Sequence, residues 1–192
     1  MAITAPALAR TIKPAGPDWS PSYSNKVATE GQGIRFELRF ELARAEHADI
    51  VLDMMRALEG ADPGSTPFDE AQRRAIFERF VCDSTYGKAW LIVYDEKYVG
   101  YVVLTVSFSF EYRGYDAFID ELYIAEEHRR QGIGQRTMEF VEMVAAELGV
   151  NAIHLEVTHG NDPAIGLYRR AGYSSNERFL MTKWLNPGPK GS

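Results

Sequence analysis

Apolar and polar residues alternate strictly from Ile34 to Leu42, with Ile34, Phe36, Leu38, Phe40 and Leu42 on one side of the register and charged residues on the other. A period of two over nine residues predicts a half-buried strand. The period then changes. From His47 to Glu59, Val51, Met54, Met55 and Leu58 fall at three- and four-residue steps before Gly60, which predicts a helix. Gly60 to Thr66 reads as a loop. Thr66-Pro67 reads as the start of a second helix running through Ile76, Phe77 and Phe80, with Asp69 and Glu70 favouring its N-terminal end.

Two strands follow, Ala89 to Tyr94 and Tyr98 to Phe110, separated by the polar turn Asp95-Glu96-Lys97 in the manner of a hairpin. Arg113-Gly114 marks the next turn, and Tyr115 to Ile124 reads as a third strand of an antiparallel meander. Beyond it the pattern becomes strand, helix, strand, helix. From Gln135 onward, Met138, Val141, Ala145 and Leu148 keep helical spacing, Ala152 to Val157 reads as a strand, and Arg178 to Leu185 as a late strand. An antiparallel meander joined to a strand-helix-strand crossover predicts an α/β or α+β domain with a mixed central sheet.

The chain has 192 residues, 45% of them hydrophobic, which is enough for one substantial core. A single domain over residues 33–186 is expected. Residues 1–32 are rich in proline, serine and glycine, and read as a flexible or partly ordered arm; residues 187–192 read as a tail. No stretch has the length of a membrane-spanning segment, and the arm lacks the charged start and apolar centre of a signal peptide, so a soluble cytoplasmic protein is the expectation. Cys82 is the one cysteine, in an apolar run that reads as core.

The segment with most chemical content is Asp120-Glu121-Leu122-Tyr123-Ile124 leading into Arg129-Arg130-Gln131-Gly132-Ile133-Gly134-Gln135. A strand there passes through a glycine-rich loop into a helix. Such a helix directs its unpaired N–H groups and the positive end of its dipole at the loop, the glycines admit close backbone approach, and Arg129 and Arg130 add fixed charge. This is an anion site in outline. No Gly-Lys-Ser/Thr follows a glycine at the P-loop distance, and Gly132-Ile133-Gly134 is followed by Gln135, Arg136 and Thr137, so the dinucleotide fingerprint also fails. What remains is Arg-x-x-Gly-x-Gly.

A second motif runs from Asn161 to Tyr173. Asn161 or Asp162 suits the cap of a helix, Pro163 its first turn and Gly172 a left-handed stop, with Ala164, Leu167 and Ala171 on one face. The two motifs together resemble the GNAT superfamily of acyl-CoA-dependent N-acyltransferases. In that family the phosphate loop reads Arg/Gln-x-x-Gly-x-Gly/Ala and the later helix Asn-x-x-Ala-x-x-Leu-Tyr-x-x-x-Gly-Phe/Tyr. Both motifs match without gaps, and a weaker resemblance extends over roughly residues 34 to 185.

The resemblance implies a mixed, mostly antiparallel sheet whose strands diverge around acetyl-CoA. By position, Leu122, Tyr123 and Ile124 would offer backbone groups to the pantetheine and acetyl carbonyl. Arg129, Arg130, Gln131, Gly132, Ile133, Gly134 and Gln135 would wrap the pyrophosphate, and Asn161 would lie beside the departing sulfur. The helices after the first strand would border the acceptor site. The motif tyrosine, Tyr168, would be the general acid, since a phenol with a reference pKa of about 10 stays protonated to serve a leaving thiolate.

An alkyl amine with a pKa of about 10.4 is almost wholly protonated at neutral pH, so a proton acceptor is useful. Asp120 and Glu121 precede the cofactor strand segment, and because side chains alternate only one should face the cleft. Glu121 is the first candidate base and Asp120 its rival. The alternative for either is a solvated or ion-paired carboxylate. A similar acidic pair occurs in diamine acetyltransferases, a weaker resemblance.

The net charge of −6, that acidic pair and the aromatics Phe108, Phe110, Tyr112 and Tyr115 favour a cationic acceptor, such as a polyamine or another small amine. A peptide amine and a non-catalytic acyl-CoA-binding module are the competing readings. The acidic balance disfavours nucleic acid. His47, His128, His154 and His159 have no zinc-ligand spacing, and no metal is expected. A homodimer is the expected assembly, by analogy with the family.

Overall fold

The computed structural model describes residues 27–29, 36–61, 67–175 and 178–185. Among them lies a six-stranded sheet in simple sequential order: β1 (Val27–Thr29), β2 (Phe36–Leu42), β3 (Gly87–Tyr94), β4 (Lys97–Ser109), β5 (Gly114–Ile124) and β6 (Val150–Leu155). The first five are antiparallel to their neighbours and β6 is parallel to β5. β1 falls within the N-terminal stretch read as an arm and pairs with β2; the rest of that stretch and the tail 187–192 lie outside the described residues.

Helices α1 (Ala48–Ala61) and α2 (Glu70–Cys82) cover one face of the sheet, α3 (Ile133–Glu147) and α4 (Asp162–Arg170) the other. Strand alternation divides the side chains accordingly. Ala89, Leu91, Tyr101 and Val103 bury against Val51, Met54 and Phe77, while Leu38, Phe40, Trp90, Val102 and Leu104 bury against Met138, Phe140, Val141 and Val144. The second cluster is the larger, and Phe140 sits at its centre: its ring stacks on Phe40 at 4.0 Å and takes the edge of Trp90 at 5.4 Å. Among the described residues, no helix is long and apolar enough to cross a membrane.

The turns follow local chemistry. Asp95 and Glu96 both have positive φ, 50° and 60°, which is the two-residue hairpin geometry that matches strand twist. Asp69 caps α2, its carboxylate accepting from the Gln72 N–H at 3.0 Å. That cap sets the helix start at Glu70, three residues beyond Pro67, where the sequence placed it. Phe77 is buried, whereas Ile76, about 100° round the helix, is exposed. The glycine-loop helix begins at Ile133 instead of Gln135 because Gly132 takes the left-handed N-cap conformation, φ 80°.

One expected strand is absent. Residues 178–185 form none. Phe179, Leu180, Met181 and Leu185 are exposed, and Arg178 instead makes a two-bonded ion pair with Glu111. Composition there suits a strand, yet no neighbouring ladder takes up its backbone groups.

Phe140→Ala should lower the unfolding free energy by about 3–5 kcal/mol, because a stacked, buried ring is replaced by a cavity among stiff neighbours. Urea titration checks this; a loss below about 1 kcal/mol would contradict the central placement of that ring.

Candidate active site

The ladder between β5 and β6 runs from Tyr115–Val150 to Ile119–Leu155 and stops there, although β5 continues for five more residues. Asp120 to Ile124 therefore has β4 on one side and, among the described residues, no strand on the other. Opposite that open edge stands the N-terminus of α3. A parallel sheet that comes apart beside a helix N-terminus creates a cleft lined by backbone donors and acceptors.

A β-bulge on β5 sets the orientation of the acids. Glu121 opposes Val103 and Ile119 opposes Leu104, so Asp120 is the extra residue with no partner across the ladder. Downstream of the bulge, Tyr123 packs with the α1/α2 layer, Glu121 shares that face, and Leu122 and Ile124 pack with the α3/α4 layer. The Ile124 carbonyl accepts from Arg129 Nε at 2.8 Å. By alternation Leu122 also turns its backbone groups to the open side, whereas those of Tyr123 point to β4.

Arg129 thus closes the loop on the strand and lies 6.0 Å from the Tyr123 ring centroid. Gln131 Nε2 donates to the Glu127 carbonyl at 2.9 Å. Arg130 adopts φ 60°, which turns the chain towards Gly132. No side chain caps α3, and a Cβ on Gly132 would meet nothing within 4 Å, so the N-terminal end of the helix is uncapped and open at that glycine. Gly134 has the opposite role. A Cβ there would meet Leu167 Cδ2 at 3.0 Å and Ile124 Cδ1 at 3.5 Å, so its hydrogen is what allows β5, α3 and α4 to converge. Gln135 Oε1 is buried without a hydrogen-bond partner. An uncapped helix end, two arginines and a buried unpaired acceptor fit a pyrophosphate with an amide-bearing arm.

Asn161 caps α4, its Oδ1 accepting from the Ala164 N–H at 3.3 Å, which leaves its amide NH2 outside the cap bond. Pro163 sits in the first turn, and Gly172 takes φ 88° as the left-handed stop. Tyr168, two turns after Asn161, packs half-buried against the larger core cluster, its ring 6.1 Å from that of Tyr173.

Glu121 is firmly held. Tyr101 donates its hydroxyl to Oε2 at 2.8 Å, and Arg73 of α2 donates Nη1 to Oε1 at 3.2 Å. Burial pushes the Glu121 carboxyl above the ordinary range, while the Tyr101 hydroxyl and Arg73 pull it back. Asp120 makes no hydrogen bond among the described residues. Crowding by protein around the bulge pushes its carboxyl up, and Arg73 opposes this. Burial and the adjacent Glu121 charge raise the Tyr101 hydroxyl well above its usual value.

The sequence singled out neither Arg73 nor Tyr101. Tyr101 was within reach of a register count, since a hairpin closing at Asp95-Glu96 and a turn at Arg113-Gly114 place it across β4–β5 from the acidic pair. Arg73 had no local signal. His159 lies in an exposed turn before α4.

A model of the acetyltransferase (GNAT) family matches residues 52–173. Thialysine N-epsilon-acetyltransferase from Bos taurus is 32% identical over 74 residues, 38% of this chain and 43% of that protein. Streptothricin acetyltransferase from Streptomyces lavendulae is 41% identical over 56 residues, 29% of this chain and 30% of that protein. The chain therefore spans less than half the length of these curated relatives. Among solved structures, an integron cassette protein from a salt-marsh metagenome superposes with a TM-score of 0.67 at 26% identity, covering 77% of this chain and 91% of that one. An aminoglycoside N-acetyltransferase solved in complex with CoA gives a TM-score of 0.66 at 11% identity, covering 82% and 99%, a likeness of fold.

Both raised carboxyls bind protons more tightly in the folded than in the unfolded chain, so the stability they contribute at low pH is lost as pH rises through their folded values. Asp120→Asn should therefore gain stability relative to the parent between about pH 4 and about pH 7. Urea titrations at the two pH values check this; a relative loss would contradict the raised carboxyl.

Proposed function

The chain belongs to the acetyltransferase (GNAT) family, and from that premise we propose that it is an N-acetyltransferase moving an acetyl group from acetyl-CoA to the primary amine of a small molecule. The observation that carries this reading is the parted β5–β6 edge facing an uncapped helix N-terminus. Acetyl-CoA supplies a thioester whose carbonyl carbon is open to attack by a neutral amine, with the thiol as leaving group.

The residues divide the work by position. The first-turn N–H groups of α3, from Ile133 to Gln135, with Gly132 giving access, bind the pyrophosphate, and Arg129, Arg130 and Gln131 border it. Leu122 and Ile124 turn backbone groups to the pantetheine arm. Asn161 directs its amide nitrogen to the same cleft. Tyr168 holds a proton on its hydroxyl and delivers it to the departing sulfur.

For the proton leaving the amine, two carboxylates compete. Glu121 has both oxygens occupied by Tyr101 and Arg73, whereas Asp120 is exposed at the bulge and carries no hydrogen bond among the described residues. Both have raised pKa, the direction that suits a general base near neutral pH. Asp120 therefore takes the proton, directly or through water, and Glu121 stations the charges around it. The relatives named for thialysine and streptothricin support a small amine as acceptor, as do D-amino-acid N-acetyltransferase from Saccharomyces cerevisiae and the aminoglycoside enzymes among the structural neighbours.

Release of CoA thiol from acetyl-CoA, followed across a panel of amines, tests the proposal. Tyr168→Phe should lower kcat about 100-fold or more, with KM for acetyl-CoA little changed. Asp120→Asn should remove the acidic limb of the kcat/KM pH profile, which Glu121→Gln should shift but retain. Cofactor binding without amine-dependent thiol release would favour a binding module instead, and an unchanged rate for Tyr168→Phe would remove its acid role.

A further inference from the structure

Tyr101 carries a polar atom where the packing around it asks for none. It faces the α1/α2 side of β4, is 1% exposed, and packs with Val51, Met54 and Phe77, its ring 6.2 Å from that of Tyr123 across the ladder. A phenyl ring would fill that space. A hydroxyl there costs desolvation free energy unless it finds a partner, and it donates its proton to Glu121 Oε2 at 2.8 Å. At that burial it meets no substrate, so any effect on the reaction passes through Glu121.

The adjacent acids differ in what holds them. Glu121 has a donor on each oxygen, Tyr101 on Oε2 and Arg73 on Oε1, and Arg73 also lies 4.0 Å from Glu59 of α1. Asp120, the extra residue of the bulge, is exposed and has no donor among the described residues. Hydrogen bonds to an ionised carboxylate favour loss of its proton, and the charge so formed hinders loss from the acid beside it. Burial raises both carboxyls; at Glu121 the Tyr101 hydroxyl and Arg73 oppose it, at Asp120 Arg73 alone.

We propose that Tyr101 is a positioning residue that assigns the base: its hydroxyl holds Glu121 ionised and occupied, so that the proton-accepting role falls to Asp120. This rests on the acetyltransferase reading above. Without the hydroxyl, Glu121 keeps Oε2 free and holds its proton more tightly. It lies on the face of β5 that Tyr123 turns to the α1/α2 layer, and there it becomes a second acceptor for the proton of the amine.

Carbon-13 titration of the two side-chain carboxyls, and kcat/KM against pH with acetyl-CoA and an amine that supports thiol release, test the proposal on the full chain. In the parent Glu121 should titrate below Asp120, and in Tyr101→Phe it should move up past Asp120. Asp120→Asn should lack the acidic limb of kcat/KM. Adding Tyr101→Phe to Asp120→Asn should restore that limb and raise kcat/KM about fivefold or more above Asp120→Asn alone. A second substitution that merely loosened the packing would lower the rate further. Asp120 titrating below Glu121 in the parent, an Asp120→Asn protein that keeps its limb, or a double variant no faster than Asp120→Asn would each overturn the proposal and leave the acetyltransferase reading standing. Should Tyr101→Phe fail to fold, the order of titration in the parent and the limb of Asp120→Asn decide the matter. No thiol release with any amine, in a protein that binds acetyl-CoA, would overturn that reading and the Tyr101 proposal with it.

Discussion

Five residue pairs join β5 to β6, and the ending of that ladder at Ile119 and Leu155 is the constraint on which the site depends. Had the pairing continued, Leu122 and Ile124 would spend their backbone groups on a neighbouring strand, and α3 would begin over a closed sheet. Because it ends, β5 keeps its rigidity from β4 while presenting a free edge. Main-chain groups placed this way need no reorganisation to receive a ligand, since the sheet has already fixed them. Gly134 makes the geometry affordable by letting Ile124, Leu167 and the first turn of α3 meet without a side chain between them.

The bulge one residue past the ladder has a separate consequence. It gives adjacent acids different surroundings: Asp120 is exposed and, among the described residues, unbonded, and Glu121 lies between Tyr101 and Arg73. Desolvating a carboxylate is costly unless each oxygen finds a donor, and here both do. The same bonds tie α2 to the floor of the sheet across 48 residues of sequence, so the helical wall of the acceptor site and the strand bearing the acids move as one unit. Packing of the α1/α2 layer and ionisation at the site are therefore linked through Glu121.

What the sequence made legible was local. Alternation located β2, the capping residues bounded α4 at both ends, and the glycine loop with its two arginines marked the α3 terminus. The order of elements and the cofactor motifs followed from these patterns, and the family match covers the same stretch. Hidden were features that depend on register and long-range contact. Whether Asp120 or Glu121 faces the α1/α2 layer turns on a bulge, which breaks the two-residue alternation from which the choice would be read. Arg73 shares α2 with Arg74 and Arg79, and only the folded chain sets it against Glu121. Residues 178–185 mark the reverse failure, a β-prone composition with no ladder to join.

Calorimetric titration of the protein with CoA tests the central claim most directly. Main-chain amides at the start of α3, with Arg129 and Arg130 beside them, predict saturable binding of one molecule per chain that weakens as salt is raised. A protein that is folded by circular dichroism and gives no heat of binding with CoA or acetyl-CoA, at low salt and at more than one temperature, would contradict the account at its root.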